Sequence, residues 1–333
     1  MGQSPASDSA MTSNTVTERM CSPGLNLALR FRRLCSKVEV TAVGVSPSSS
    51  AAYAVYTAAQ TAQSWIDVFD LTNQRGYSKT SGSHAAFSPQ GNRFATVRDW
   101  TVQLAGGVEY HHNSTVLLRD GATGKTAGEL KEADGAPIAW NGDGRILAAG
   151  EANNRMSIWD VRTGTRVGRV MSHIDAVTHA AFMPDNSLVT ISRDGTLRIT
   201  NPTTAKTLRR LEIENSTNPR CLAVSADGRR IVSVWDTTVH VWLPQTNDLT
   251  SYNLNSVRRN EGWPLCISPD CRYMACRTED GFDIMDIASG EVVFARDEDV
   301  IVTSAAFAAD GKTLVFGKMD GNVEVWDVRD DKL

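Results

Sequence analysis

The sequence predicts an all-β chain folded as a seven-bladed β-propeller, and three observations carry that expectation. First, an apolar stretch ends in a short turn motif seven times: "VSPSS" from Val45, "FSPQG" from Phe87, "WNGDG" from Trp140, "FMPDN" from Phe182, "VSADG" from Val224, "ISPDC" from Ile267 and "FAADG" from Phe307. These anchors are separated by 42, 53, 42, 42, 43 and 40 residues. Second, another marker follows each anchor in phase: "IDVFD", "VLLRD", "MSIWD", "LRITN", "VHVWL", "FDIMD" and "VEVWD". Third, apolar residues alternate within the units, as at Val323 and Val325, which is the period of a strand. A repeat of about 40 to 45 residues with four short strands marks a propeller blade. One twisted four-stranded sheet cannot cover both of its apolar faces, whereas packing on a neighbour at each side around a ring does so.

Taken from the N-terminus, residues 1–23 are rich in Ser, Thr and Ala and contain no apolar core. They are expected to be a disordered tail rather than a secretory signal. A myristoylation pattern wants Ser or Thr at position 6, where the chain has Ala6. Residues 24–333 are assigned to a single propeller domain. The outermost strand of a blade lies 12 to 16 residues before the next anchor, as in "RVGRVM" (166–171) and "EVVFAR" (291–296). No such strand follows the final "VEVWD", but the same offset before Val45 reaches "LALRFRR" (27–33). Residues 27–33 are therefore predicted to pair with 323–327, closing the ring without leaving a free sheet edge inside it. Asp320-Gly321 before that last strand supplies the positive φ of a tight hairpin turn.

The one irregular step comes from "RDWTVQLAGGVEYHHN" (98–113) in blade 2, between "RFATV" and "STVLLRD". A long hairpin there presents Trp100, Tyr110, His111 and His112, with Arg98 beside these aromatics at an exposed tip. Two readings stay open: an interface loop with aromatic anchors, or a hairpin folded over its neighbours as local packing. The adjacent histidines point to opposite faces of a strand and do not make a metal pair.

The repeats resemble the WD40-repeat family over residues 25–330, with the Trp-Asp dipeptide itself at Trp159-Asp160 and Trp326-Asp327. That family's structural network joins a His, a Ser or Thr, a turn Asp and a strand Trp. Blade 4 keeps His173, Ser192 and Asp194 but has Thr200 in the Trp place. Blade 7 keeps Asp320 and Trp326 but has Glu298 and Lys318 at the other two. The stretch "LVFGKMDGNVEVWDVR" (314–329) is similar to the WDxR box of cullin-4 substrate receptors, and "WDVR" recurs at Trp159–Arg162 with Asn153 in place of the turn Asp. That resemblance implies adaptor contacts at Arg329 and Arg162.

Composition narrows the function. Apolar residues make up 41%, charged residues 22%, and the net charge is −4, which gives no basic surface for nucleic acid. No window approaches the ~18 apolar residues of a membrane helix. Six cysteines are too few for a disulfide scaffold, so a cytoplasmic or nuclear setting is expected. Cys266, Cys271 and Cys276 lack the spacing of a zinc site. The inner strands carry His84 and His179, each three residues before its anchor, and Cys221 in the matching place of blade 5. A His/His/Cys metal set is conceivable in ligand chemistry, but alternate blades hold these positions apart. With no catalytic motif and no cofactor expected, the chain reads as a monomeric, non-enzymatic scaffold for protein or peptide partners. The alternatives are a ubiquitin-ligase substrate receptor and a metal-dependent propeller enzyme. Arg258 and Arg259, between blades 5 and 6 on the face that bears the blade 2 insertion, are candidates for an acidic or phosphorylated peptide.

Overall fold

The computed structural model describes residues 18–19, 25–57, 63–98, 102–104, 107–109, 115–131, 133, 135–171, 173–214, 216, 218–254, 263–279 and 281–330. Among them, seven antiparallel sheets follow one another along the chain, and an eighth is a two-stranded hairpin. Blade 1 takes Val40–Val45, Ala51–Thr57, Ser64–Asp70 and Gly76–Ser81; blade 2 takes His84–Phe87, Arg93–Arg98, Thr115–Asp120 and Thr126–Leu130. Blade 3 is Gly135–Trp140, Ile146–Glu151, Arg155–Asp160 and Thr165–Val170, and blade 4 is Val177–Phe182, Leu188–Ser192, Thr196–Thr200 and Thr207–Glu212. Blade 5 is Pro219–Val224, Ile231–Trp235, Thr238–Leu243 and Asp248–Asn253, and blade 6 is Trp263–Ile267, Tyr273–Arg277, Gly281–Asp286 and Val292–Asp297. Blade 7 takes Val302–Phe307, Thr313–Lys318 and Asn322–Asp330, and its outer strand is Leu25–Leu34 from the other end of the sequence. First strands of successive blades touch in turn, from blade 1 round to blade 7 and back.

Closure follows the predicted pairing of 27–33 with 323–327. Leu27 lies opposite Val328, Ala28 opposite Asp327, Phe31 opposite Val325 and Arg33 opposite Val323. A bulge between Leu29 and Phe31 turns the strand over, since one extra residue reverses which face a side chain takes. Leu25 and Leu27 consequently pack with blade 6, while Phe31 packs with blade 1. Arg30 Nε donates to Asp327 Oδ1 at 2.8 Å across the same pairing. Two residues of the expected disordered tail, Glu18–Arg19, pair with Arg296 and Ala295 and add a fifth strand to blade 6.

Both repeat markers have local physical causes. In "xSPxG"-type anchors the Ser or Asn side chain accepts backbone N–H groups of its own turn: Ser46 from Ala51 at 2.9 Å, Asn141 from Ile146 at 2.8 Å, Ser225 from Arg230 at 2.9 Å and Ser268 from Tyr273 at 2.8 Å. The terminal Asp or Asn of the second marker caps the next turn in the same manner. Asp70 accepts from Thr72 and Asn73, Asp120 from Ala122 and Thr123, Asn201 from Thr203 and Thr204, and Asp286 from Ala288 and Ser289. At Asp320-Gly321 only Gly321 takes the positive φ, 83°, while Asp320 Oδ1 accepts from Asn322 N at 3.0 Å.

The core is divided rather than central. Seven apolar clusters of described residues occur, and each lies between two adjacent blades. Period-2 alternation explains this: in the third strand of blade 7, Val323 and Val325 face blade 1 while Trp326 faces blade 6. Burying one such side chain contributes on the order of 2 to 3 kcal/mol, and every interface depends on both of its sheets.

Polar groups under the turns are resolved differently from blade to blade. In blade 4, His173 Nε2 meets the hydroxyl of Thr190 at 2.8 Å and Nδ1 lies 3.0 Å from Asp194 Oδ2. The network's hydroxyl is thus Thr190, not Ser192 as the sequence suggested. Ser192 instead donates to Asp175 O at 2.7 Å and accepts from Asp194 N at 3.1 Å. Thr200 is buried in the Trp place, and its hydroxyl has no hydrogen-bond partner among the described residues. Blade 7 replaces the network with buried charge. Lys318 Nζ donates to Glu298 Oε2 at 2.6 Å and Glu324 Oε1 at 2.8 Å, and Trp326 Nε1 donates to Glu324 Oε2 at 3.3 Å. Arg296 binds Glu298 at 2.7 Å and lies 4.5 Å from the Trp326 ring centroid. Arg32 binds Glu324 from the closing strand at 2.7 Å.

Two stability changes are expected. Lys318→Ala leaves two buried carboxylates without their shared cation and lowers stability by about 3 to 5 kcal/mol. Thr200→Val removes an unsatisfied buried hydroxyl and raises it by about 1 kcal/mol. Denaturant titration of the purified variants checks both.

Candidate functional site

In every blade the turn from first to second strand, and in blades 1 to 6 that from third to fourth, lie at one end, here the turn face. Second-to-third turns and the connections to the next blade lie at the other, the connection face. Large apolar side chains left exposed are distributed unevenly between them. Met171, Ile174, Trp263, Ile301 and Met319 belong to the connection face, while Leu29, Leu34, Val167, Leu208 and Leu249 lie on outer strands. Among the described residues the turn face has none. This uneven placement makes the connection face the candidate recognition surface among the described residues.

The polar network of blade 4 fixes part of this face. Ile174 N donates to Asp194 Oδ2 at 3.0 Å, so the loop carrying Ile174, 86% exposed, and Met171, 63% exposed, is tied to a buried carboxylate. Burial works against that charge, but the Thr196 hydroxyl, the Ile174 N–H and His173 hold the Asp194 carboxyl below the usual range. Burial likewise pushes the His173 imidazole down, with Asp194 opposing. A neutral His173 donates from Nδ1 to Asp194 and accepts at Nε2 from Thr190. Between blades 6 and 7, Met319 N donates to Ile301 O at 3.0 Å, which holds those two exposed side chains side by side on the backbone.

Trp263 opens the inner strand of blade 6, 39% exposed and directly across from Arg277. The Arg220 guanidinium carbon is 4.4 Å from the Trp263 ring centroid and that of Arg277 is 5.9 Å. Arg220 is the second residue of the inner strand of blade 5 and lies beside His179 of blade 4, whose imidazole contacts the Arg220 backbone.

The residues expected from the sequence fall in three groups. Trp100, Tyr110, His111, His112, Arg258 and Arg259 lie outside the described residues; of the insertion, Val102–Leu104 pairs with Gly107–Glu109 as a hairpin. Arg98 ends the second strand of blade 2, half-buried and opposite Thr115. Burial of the neighbouring Arg119, with the Arg98 charge adding to it, holds that guanidinium below the usual range. Arg119 occupies the position of Trp159 and Trp326 in its blade and donates to Thr96 Oγ1 at 3.0 Å. Arg162 and Arg329 are exposed toward the turn face, opposite to the surface just described, and among the described residues neither forms an ion pair. His84, His179 and Cys221 do not converge: no group of three His, Cys, Asp or Glu fit to hold a metal occurs among the described residues. Burial pushes the Cys221 thiol up to about 12, opposite to what a metal-ligating thiolate needs. No helix is long and apolar enough to cross a membrane.

The WD domain, G-beta repeat family model matches residues 164–201, 206–242 and 293–327. Periodic tryptophan protein 2 of Arabidopsis thaliana is 27% identical over 57% of this chain, but the match covers 21% of that protein. A RACK1y small ribosomal subunit protein of Oryza sativa is 30% identical over 47% of this chain and 49% of its own length. WD repeat and SOCS box-containing protein 1 of Danio rerio is 48% identical over 17% of this chain and 14% of that protein. The chain therefore matches about half or less of each of these proteins.

The acid response follows from His179. Burial pushes its imidazole down to about 4, and the Arg220 backbone offsets only part of this. The unfolded chain, with an imidazole near the usual value of about 6.5, binds a proton that the folded ring refuses. Stability is expected to be intact above about pH 6.5 and to fall toward about pH 4, with His173 and His240 shifted in the same direction. Urea midpoints across this range, compared with His179→Gln, check it; the variant should show a shallower fall.

Proposed function

Because the chain is a WD40-repeat β-propeller, we propose that it is a non-enzymatic interaction scaffold that binds protein or peptide partners through its connection face. The carrying observation is the placement of Met171, Ile174, Trp263, Ile301 and Met319 on that face, with none of the exposed large apolar side chains on the turn face among the described residues. Partner association gains by covering such side chains, and the backbone tie from Ile174 to Asp194 lowers the ordering cost of doing so. The scaffold role of a rigid ring is consistent with the similarity to WD-repeat proteins, one of which is much longer than this chain.

The test is a paired set of surface variants compared by quantitative cross-linking from the native source. Ile174→Asp with Met171→Ser is expected to remove most captured partners while leaving the melting temperature unchanged. Arg162→Ala with Arg329→Ala, on the turn face, is expected to leave them in place. The reverse pattern would instead support an adaptor contact through the WDxR-like arginines.

A further inference from the structure

We propose that Arg220, Trp263 and Arg277 form a docking site for an anionic peptide segment, one whose side chains present carboxylate or phosphate oxyanions. This rests on the scaffold reading and adds the chemistry of the partner. Three features converge. Both guanidiniums lie within cation–π range of one partly exposed indole, at 4.4 and 5.9 Å. A stacked guanidinium keeps its N–H edge available for an oxyanion, and the ring fixes its plane.

Neither cation is neutralised by a carboxylate among the described residues. Elsewhere in the ring arginines meet carboxylates, as in Arg32–Glu324, Arg145–Asp160, Arg272–Asp286 and Arg296–Glu298. Arg220 and Arg277 form no ion pair among the described residues, although Glu214 and Glu279 are exposed on nearby loops of the same face. Moreover, Arg220 Nε has no hydrogen-bond partner among the described residues, so the ring supplies no acceptor that fixes this guanidinium in place of a ligand. The neighbouring His179 is held neutral by burial and adds no competing charge.

Charge complementarity selects the class of partner. The site is a compact cationic pair on a protein of net charge −4. A short anionic stretch engages it locally, whereas a nucleic acid would bring an extended run of phosphates against a net-negative molecule. Trp263 adds an apolar contact of the kind that anchors peptide side chains.

The experiment titrates the full chain with fluorescein-labelled heptaglutamate, a peptide bearing two phosphoserines, a heptaglutamine control and a single-stranded DNA oligomer, by fluorescence anisotropy. At least one anionic peptide is expected to bind more tightly than heptaglutamine, with affinity falling as salt rises. Comparison of the two anionic peptides identifies the preferred oxyanion. Arg220→Gln and Arg277→Gln are each expected to weaken binding about tenfold, the worth of one charge-assisted contact. Arg220→Lys should recover only part of the loss, and melting temperatures should stay unchanged. Equal binding of both variants, binding of heptaglutamine as tight as heptaglutamate, binding of DNA alone, or no binding by any probe overturns the inference. The scaffold reading fails separately, through the Ile174 and Met171 variants.

Discussion

Everything in this molecule depends on the antiparallel pairing of Leu25–Leu34 with Asn322–Asp330. Each apolar cluster belongs to two blades at once, so no blade is complete on its own and a ring with one open seam exposes two sheet faces. The closing strand contributes to both interfaces of blade 7, because its bulge sends Leu25 and Leu27 one way and Phe31 the other. A slip of one residue would exchange those faces. Its charged residues set the register as well: Arg30 engages Asp327 and Arg32 engages Glu324 across the seam.

Much of this was readable in the sequence because the repeat is driven by local chemistry. The anchors recur because a Ser or Asn side chain caps a turn, and the second marker recurs because an Asp or Asn caps the next one. The closing strand was found by applying a constant offset, which works when every blade obeys the same geometry. The network of blade 4 was misassigned for an equally physical reason. Thr190 and Ser192 are two residues apart on one strand, so both face the same side, and only the position of His173 decides between them. Exposure of Ile174 and the stacking of Arg220 on Trp263 join residues from loops and from neighbouring blades. No local pattern encodes such a meeting, although an indole at the start of an inner strand, "WPLC", was a signal worth pursuing.

Blades 4 and 7 solve one problem by opposite means. Both must tie the connection between blades to a turn and a strand beneath it. Blade 4 uses a neutral imidazole, two threonine hydroxyls and one carboxylate. Blade 7 uses Lys318 between two glutamates, with Arg32 and Arg296 completing their coordination. Buried ions gain little over an apolar packing of the same volume, but they are intolerant of mispairing. Placing them at the seam favours the one closure in which every charge finds its counterpart.

The two halves of blade 7 are made at different times. Arg30 and Asp327, which meet across the seam, are 297 positions apart in the chain. At a synthesis rate of about 5 to 20 residues per second, the first waits roughly 15 to 60 s for the second to emerge. During that interval Leu25–Leu34 is an apolar strand with no sheet to join, and six finished blades cannot hold a ring. The nascent chain thus carries an adhesive edge for most of its synthesis, and shielding of that segment until the last blade arrives decides between closure and association with another molecule.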